Sequence, residues 1–295
     1  MQDRTSYYFA PVAKLVLFIV LCFVCLVPFS LISNFSFLPP APSKLIADIS
    51  NELSLILAVL GALLMLFRLL PNLDFYTVFL RKEQWWSGFF KGTGLGVAFM
   101  FVGAVALYAG GFVEFSIKSM ALSSALLYLV FFMLVSVFEE LLFRTYPLFV
   151  FAERYPVWLA MVINGLLFGL AHVGNDDFTA LAMVNITLAG ILFCIYTLQK
   201  QHIAWVIGLH FSWNFTQGIV LGYNVSGNEM PGFIKAIPIG EDYLSGGKFG
   251  VEGSIFCTAL LIVWICWRIY KFGFGHIETA ATDNITVYDG KETNI

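Results

Sequence analysis

Long apolar stretches recur along almost the whole chain and dominate what it can fold into. Eight of them approach or exceed the ~20 residues that a helix needs to cross the hydrocarbon core of a bilayer. They lie at about 15–36, 53–70, 92–112, 120–151, 156–173, 179–199, 203–222 and 255–271. In lipid, every backbone N–H and C=O must find a partner within the protein, which a helix provides within one segment. The sequence therefore predicts an all-α integral membrane protein with a bundle of about eight transmembrane helices.

Composition narrows the possible partners and cofactors. Hydrophobic residues make up 59% of the chain and charged residues only 12%, against about 25% charged in soluble domains. This composition implies the lipid bilayer as a partner. The chain is not basic, with a net charge of −3, so no nucleic-acid partner is implied. The cysteines all lie in apolar stretches, which argues against a disulfide framework and a closed zinc site. They are Cys22, Cys25, Cys194, Cys257 and Cys266.

Lys and Arg are distributed unevenly between alternate loops. With eight spans and a cytoplasmic N-terminus, twelve of them fall on the cytoplasmic side and four outside, which is a positive-inside pattern. The first apolar stretch is too long for a signal-peptide core, so we expect it to be retained. The predicted organisation is a cytoplasmic N-terminus at 1–14, a membrane domain at 15–271 and a polar cytoplasmic tail at 272–295.

Two adjacent carboxylates, Glu139 and Glu140, lie inside the fourth apolar stretch. A charged side chain at the bilayer centre costs at least ~2.5–3.5 kcal/mol, so such residues usually have a task. Glu140 and Arg144 are four residues apart, in the order that favours a helical ion pair, whereas Phe143 follows Glu139 at this spacing. We interpret Glu140–Arg144 as a structural pair and Glu139 as the reactive carboxylate, a general base that activates water. The alternative is a structural ion-pair cluster between helices.

Three further polar residues, His172, His210 and Asn214, lie in apolar stretches. His210 and Asn214 share one helix face. From the turn at 153–156, Glu139 is about 15 residues back and His172 about 18 residues on, so that in a hairpin they reach similar depths to within roughly 5 Å. Each alone is typical of interhelical hydrogen bonding. Together they predict an active site among spans four, five and seven, within a core at 120–220.

The same residues resemble the three motifs of the CPBP family, the intramembrane CAAX prenyl proteases of type II and bacteriocin-processing (Abi) proteins. The motifs are Glu139-Glu140-x-x-x-Arg144, Phe168-x-x-x-His172 and His210-x-x-x-Asn214, in this order on successive spans. The segment Gly240–Ser254 also resembles one that bacterial members carry before the last span. Localisation in a bacterial inner (plasma) membrane is what this likeness implies.

The resemblance implies an endopeptidase that cleaves a membrane-associated protein or peptide, such as a CAAX-type C-terminus or a leader peptide. In the family's glutamate mechanism, the counterparts of Glu139 and His172 activate water, and those of His210 and Asn214 form an oxyanion hole. No cofactor is favoured. Zinc stays open, because His172, His210 and Glu139 or Glu140 could bind it with a position left for water, although the motif H-E-x-x-H is absent.

Non-enzymatic membrane proteins are the competing class. An immunity or scaffold protein could sequester a partner without cleaving it, and a proton-coupled transporter could use the same ionisable residues as a relay. A transporter would be expected to show repeat symmetry between its two halves, whereas the polar residues here cluster in spans four, five and seven.

Overall fold

The computed structural model describes residues 4–34 and 43–276 and is mostly helical over them. Its α-helices are α1 Arg4–Asn34, α2 Lys44–Leu69, α3 Trp85–Ala109, α4 Leu122–Arg144, α5 Tyr146–Ala152, α6 Val157–Ala171, α7 Ala180–Lys200, α8 Ala204–Phe215, α9 Asp242–Ser245 and α10 Ile255–Phe272. A π-helical turn, Thr216–Val220, follows α8, and a 3-10 turn, Val251–Gly253, precedes α10. The helical membrane class predicted from the sequence is confirmed. The parts of the predicted termini at 1–3 and 277–295 lie outside the described residues.

Six helices are long and apolar enough to cross a membrane, among the residues described. They are α1, α2, α3, the α4–α5 unit, α7 and α10. The predicted fifth span is the shorter α6, with 15 residues. The predicted seventh span is α8, with 12 residues, extended by the π-helical turn. Six of the eight predicted spans therefore correspond to helices that are long and apolar enough to cross a membrane, whereas α6 and α8 are shorter than predicted.

The helices that carry the polar motifs occupy the centre of the bundle. α8 packs along α3 and also contacts α4 and α7, while α6 packs against α7. α4 also contacts α2, which in turn packs on α1. The outer faces of α1, α3 and α10 are apolar and exposed, as at Phe23, Val105 and Val263, which suits contact with lipid chains. The motif residues thus lie between helices and not on the outside.

Two short strands form a feature that the sequence did not predict. β1, Val113–Ile117, pairs antiparallel with β2, Ile234–Pro238, and Phe115 lies opposite Ala236. The two strands are more than a hundred residues apart in the chain, so no local pattern reveals their pairing. They form a small sheet at one end of the helical bundle.

Contacts between loops define two ends of the bundle. At the strand end, the β1–β2 sheet joins loop 110–121 to the segment 221–254, and Asn175 Nδ2 donates to Ser226 O at 3.0 Å. At the opposite end, Lys14 Nζ lies 2.9 Å from Glu153 Oε2, and Arg81 Nη2 donates to Gln201 Oε1 at 3.3 Å. Successive long helices therefore run in alternate directions between these ends.

Candidate active site

The break between α4 and α5 shapes the site. Thr145 has φ −94° and ψ −115°, which ends α4 directly after Arg144. Pro147 lacks the N–H that would continue the hydrogen-bond ladder of α4. The fourth apolar stretch therefore forms two consecutive helices, α4 and α5. The glutamate motif occupies the last turns of α4, which contacts α6, α7 and α8.

Glu140 and Arg144 form the ion pair that their spacing predicts. Arg144 Nε lies 3.3 Å from Glu140 Oε2, and both side chains are fully buried. The guanidinium also lies over the ring of Phe168, with 4.1 Å between Cζ and the ring centroid, and Nη2 donates to Gly190 O at 3.4 Å. The cation–π contact ties α4 to α6, and the hydrogen bond to Gly190 O ties it to α7.

Glu140 also holds His210. The Nδ1 of His210 lies 2.9 Å from Glu140 Oε1. Because Glu140 is paired with Arg144 and acts as a carboxylate acceptor, Nδ1 carries the hydrogen and donates it. The ring is thereby oriented with Nε2 directed away from Glu140, towards Glu139.

Glu139 faces both histidines. Its Oε2 lies 3.9 Å from His172 Nε2 and 3.8 Å from His210 Nε2. These distances exceed a direct hydrogen bond and suit a bridging water. Its Oε2 has no hydrogen-bond partner among the described residues. Glu139 and Glu140 therefore differ in surroundings, since Glu139 is 19% exposed and Glu140 is fully buried.

His172 is fixed by the backbone. It follows the last residue of α6 as its C-cap, and its Nδ1 lies 2.8 Å from Phe168 O. A carbonyl only accepts, so Nδ1 carries the hydrogen and donates it. In the neutral imidazole, Nε2 is then an acceptor directed at Glu139.

Asn214 lies one turn beyond His210 on α8 and is 7% exposed. Its amide makes no hydrogen bond to another residue within the described part of the chain. It lines a cavity of about 490 Å³ together with Glu139, His172 and His210. The structure thus brings the four predicted catalytic residues to one cavity, from three different helices.

The cavity also reaches residues that the sequence analysis missed. Asp48 lines it from α2, and Glu52, one turn further along, has a buried Oε2 without a hydrogen-bond partner among the described residues. The predicted second span began at residue 53, which placed both outside the membrane. The sequence does contain a signal for them, because two carboxylates four residues apart lie at the edge of an apolar stretch.

Asn185 of α7 anchors the end of the segment Gly240–Ser254. Its Nδ2 donates to Glu252 O at 2.7 Å and to Ser254 O at 2.9 Å. Gly250 has φ +103°, and a Cβ there would lie 2.1 Å from Asn224 O, so only glycine fits. Glu252 Oε2 accepts from Ser226 N at 2.8 Å. This segment is therefore packed into the wall of the cavity.

The polar side chains of the site include possible zinc ligands. Two imidazole Nε2 atoms and a carboxylate oxygen are chemically suitable ligands. No group of three His, Cys, Asp or Glu side chains is placed to hold a metal ion, however, within residues 4–34 and 43–276. Glu140, the other candidate ligand, is engaged by Arg144 and His210. As placed, these residues do not form a zinc site, and the reaction proposed below has no step through a metal.

Comparison with known proteins gave one match. A family model described as type II CAAX prenyl endopeptidase Rce1-like matches residues 121–216. No curated protein and no solved structure matches the chain. The matched range begins one residue before α4 and includes all three motifs, from Glu139 to Asn214. The resemblance inferred from the motifs is thereby confirmed: residues 121–216 are similar to the Rce1-like family of type II CAAX prenyl endopeptidases.

Proposed function

We propose that this protein is an intramembrane endopeptidase in which Glu139 and His172 activate water and His210 and Asn214 stabilise the oxyanion. The match of residues 121–216 to the Rce1-like family supports CAAX-type intramembrane protease activity. The division of roles and the water-based mechanism are our proposal. The substrate is a peptide segment of a membrane-associated protein.

One observation carries the proposal. A single carboxylate oxygen, Glu139 Oε2, faces the Nε2 atoms of His172 and His210 at 3.9 and 3.8 Å, in a cavity that Asn214 also lines. A structural ion-pair cluster would instead be expected to engage every charged oxygen in direct contacts, as Glu140 does. A base, an acceptor and two potential donors around one space suit hydrolysis.

The reaction follows from the donor and acceptor roles. A water donates one hydrogen to Glu139 and the other to His172 Nε2, and its proton passes to Glu139 as its oxygen bonds to the peptide carbonyl carbon. The resulting oxyanion accepts hydrogen bonds from the Asn214 amide and, when the imidazole is protonated, from His210 Nε2. The C–N bond then breaks, and the proton held by Glu139 goes to the leaving nitrogen.

The test compares membranes of cells that lack the gene with cells that carry the wild type, Glu139→Gln or Glu83→Gln. New N-termini of membrane proteins are measured by mass spectrometry. Cleavage products should disappear in the gene-less cells and in Glu139→Gln, and should be present in Glu83→Gln, a matched change at an exposed glutamate. Restoration of the products by Glu139→Gln would contradict the proposal. Restoration of the cellular phenotype without any cleavage would favour a scaffold.

A further inference from the structure

We infer that the active-site cavity opens at the non-cytoplasmic face and admits a positively charged peptide segment. This inference rests on the proposed function and adds to it the side of entry and the class of substrate. It depends on three observations: which loops line the cavity, how the charges divide between the two ends, and which polar groups in it are unpaired.

The cavity extends from Glu139 to the strand end only. Its lining includes Lys44 and Asp48 at the start of α2, Asp176 after α6 and Glu229 before β2. All of these belong to the strand end. The described loops of the opposite end, 70–84, 153–156, 201–203 and 273–276, contribute no lining residue. A peptide therefore reaches Glu139 from the strand end.

The charges identify the strand end as the non-cytoplasmic one. Ten Lys and Arg lie near the opposite end and four near the strand end, over the residues that the structure describes. Those of the opposite end are Arg4, Lys14, Arg68, Arg81, Lys82, Lys91, Arg154, Lys200, Arg268 and Lys271. Those of the strand end are Lys44, Lys118, Lys235 and Lys248. Since cytoplasmic loops carry the excess of basic residues, the cavity faces away from the cytoplasm. A cytoplasmic C-terminus would have to enter from the end without an opening.

The mouth of the cavity is acidic. Four carboxylates line it against one ammonium group, that of Lys44; they are Asp48, Asp176, Glu229 and Glu252. Glu229 is paired with Lys235, and Glu252 accepts from Ser226. Asp48 and Asp176 have no ion-pair partner in the described ranges. These two carboxylates are therefore available to a basic side chain.

A second observation points to a ligand in the same space. Asn214 is more than nine-tenths buried, lines the cavity, and has an amide without a hydrogen-bond partner among the described residues. The amide N–H group of Asn214 is therefore free to donate to a peptide carbonyl that enters the cavity. Low-dielectric walls around the carboxylates also focus the field on an incoming cation.

The test uses Asn228→Cys, an exposed position that lines the mouth, in the full-length Glu139→Gln chain, so that binding is read without cleavage. A membrane-impermeant maleimide should label this cysteine in intact cells. Glu83→Cys at the opposite end should be labelled only after permeabilisation, and the chain without an added cysteine gives the blank. Labelling of Asn228→Cys only after permeabilisation would overturn the assignment of the face.

The preference for positive charge is measured as the extent to which added peptides slow maleimide labelling of the cysteine at position 228. Two synthetic peptide pools of equal length are added, one with lysines and one with glutamates flanking the same randomised core. The lysine pool should slow labelling roughly tenfold more than the glutamate pool, which is the low end of the rate enhancement that electrostatic focusing gives in a charged cleft. The difference between the two pools should decrease at high salt, because salt screens the charges.

Neutral variants provide the control. The double variant Asp48→Asn/Asp176→Asn should abolish the difference between the pools, whereas Glu114→Gln/Glu241→Gln, exposed acids of the strand end outside the cavity, should keep it. If both pools slowed labelling equally in the chain that carries only Asn228→Cys and Glu139→Gln, the inferred preference for a positively charged peptide would be wrong. Because none of these readouts needs turnover, their failure is distinct from a failure of the proposed protease activity.

Discussion

At the scale of single residues, adjacent glutamates have opposite surroundings. Glu140 Oε2 lies 3.3 Å from Arg144 Nε and its Oε1 lies 2.9 Å from His210 Nδ1, whereas Glu139 Oε2 lies 3.9 and 3.8 Å from the Nε2 atoms of His172 and His210, in the cavity. Because a helix turns by about 100° per residue, neighbours point in different directions. One glutamate can then hold the site together while the other reacts.

Glu139→Gln should abolish peptide cleavage and leave the unfolding temperature in detergent almost unchanged. The substitution removes the base and keeps the side-chain volume, and no ion pair at direct contact distance is lost. Cleavage of a substrate identified by the proteomic comparison and thermal unfolding are measured on the same purified samples. Turnover at the wild-type rate would remove Glu139 from its proposed role.

Glu140→Gln and Arg144→Met should each lower stability as well as activity. Removing one partner of a buried pair costs ~3–5 kcal/mol because a buried charge is left unpaired. The double variant should lose less than the sum of the single losses. Thermal unfolding in detergent measures the stability of the two single variants and the double variant. Unchanged stability in both single variants would show that the ion pair does not stabilise the protein.

His210→Gln should retain measurable activity, and purified wild type should contain no stoichiometric zinc. Glutamine can still donate to an oxyanion, although it is a poor zinc ligand, and removing one oxyanion donor typically costs ~2.7–4 kcal/mol. The measurements are elemental analysis and turnover after dialysis against a strong chelator. About one zinc per chain, lost together with all turnover in His210→Gln, would establish the metal mechanism instead.

At the scale of elements, glycines allow α3 to lie directly on α8, the helix that carries His210 and Asn214. A Cβ on Gly92 would lie 2.0 Å from Trp205 O, and a Cβ on Gly208 would lie 2.1 Å from Phe89 O. Close approach of backbones at small residues is a common basis of helix packing in membranes. The position of the oxyanion residues thus depends on a helix that contributes no catalytic group.

Gly92→Ala should lower both activity and stability. The added methyl group forces α8 away from α3, and overpacking of this kind typically costs ~1–3 kcal/mol. Gly94→Ala is the matched control, since a Cβ at that position of the same helix meets nothing within 4 Å. Equal behaviour of the two variants in thermal unfolding and cleavage would contradict the importance of this contact.

At the scale of the whole molecule, the two ends of the bundle should lie on opposite sides of the membrane. Alkaline phosphatase, which is active only outside the cytoplasm, should be active when fused after Lys118 and inactive when fused after Glu83. The physical reason is the excess of Lys and Arg at the end that holds Glu83. The reverse pattern of phosphatase activity would invert the topology and move the cavity mouth to the cytoplasm.

The sequence by itself determined the helical membrane class, the resemblance of residues 121–216 to a protease family and the set of candidate polar residues. Each of these depends on local information: the length of an apolar stretch, the cost of a charge in lipid, or the spacing of residues on one helix. The ion pair of Glu140 with Arg144 was predictable for the same reason, because both residues lie on one helix.

Only the tertiary structure decided the rest. Three features depend on how segments distant in sequence pack together. They are the convergence of Glu139, His172 and His210, the pairing of β1 with β2, and the extension of the cavity to Asp48. The lengths of α6 and α8 were overestimated because hydropathy does not record where a helix gives way to a loop that lines the cavity. A helix face, a strand register and a cavity mouth are properties of neighbours in space, and a stretch of sequence carries no information on which neighbours it will have.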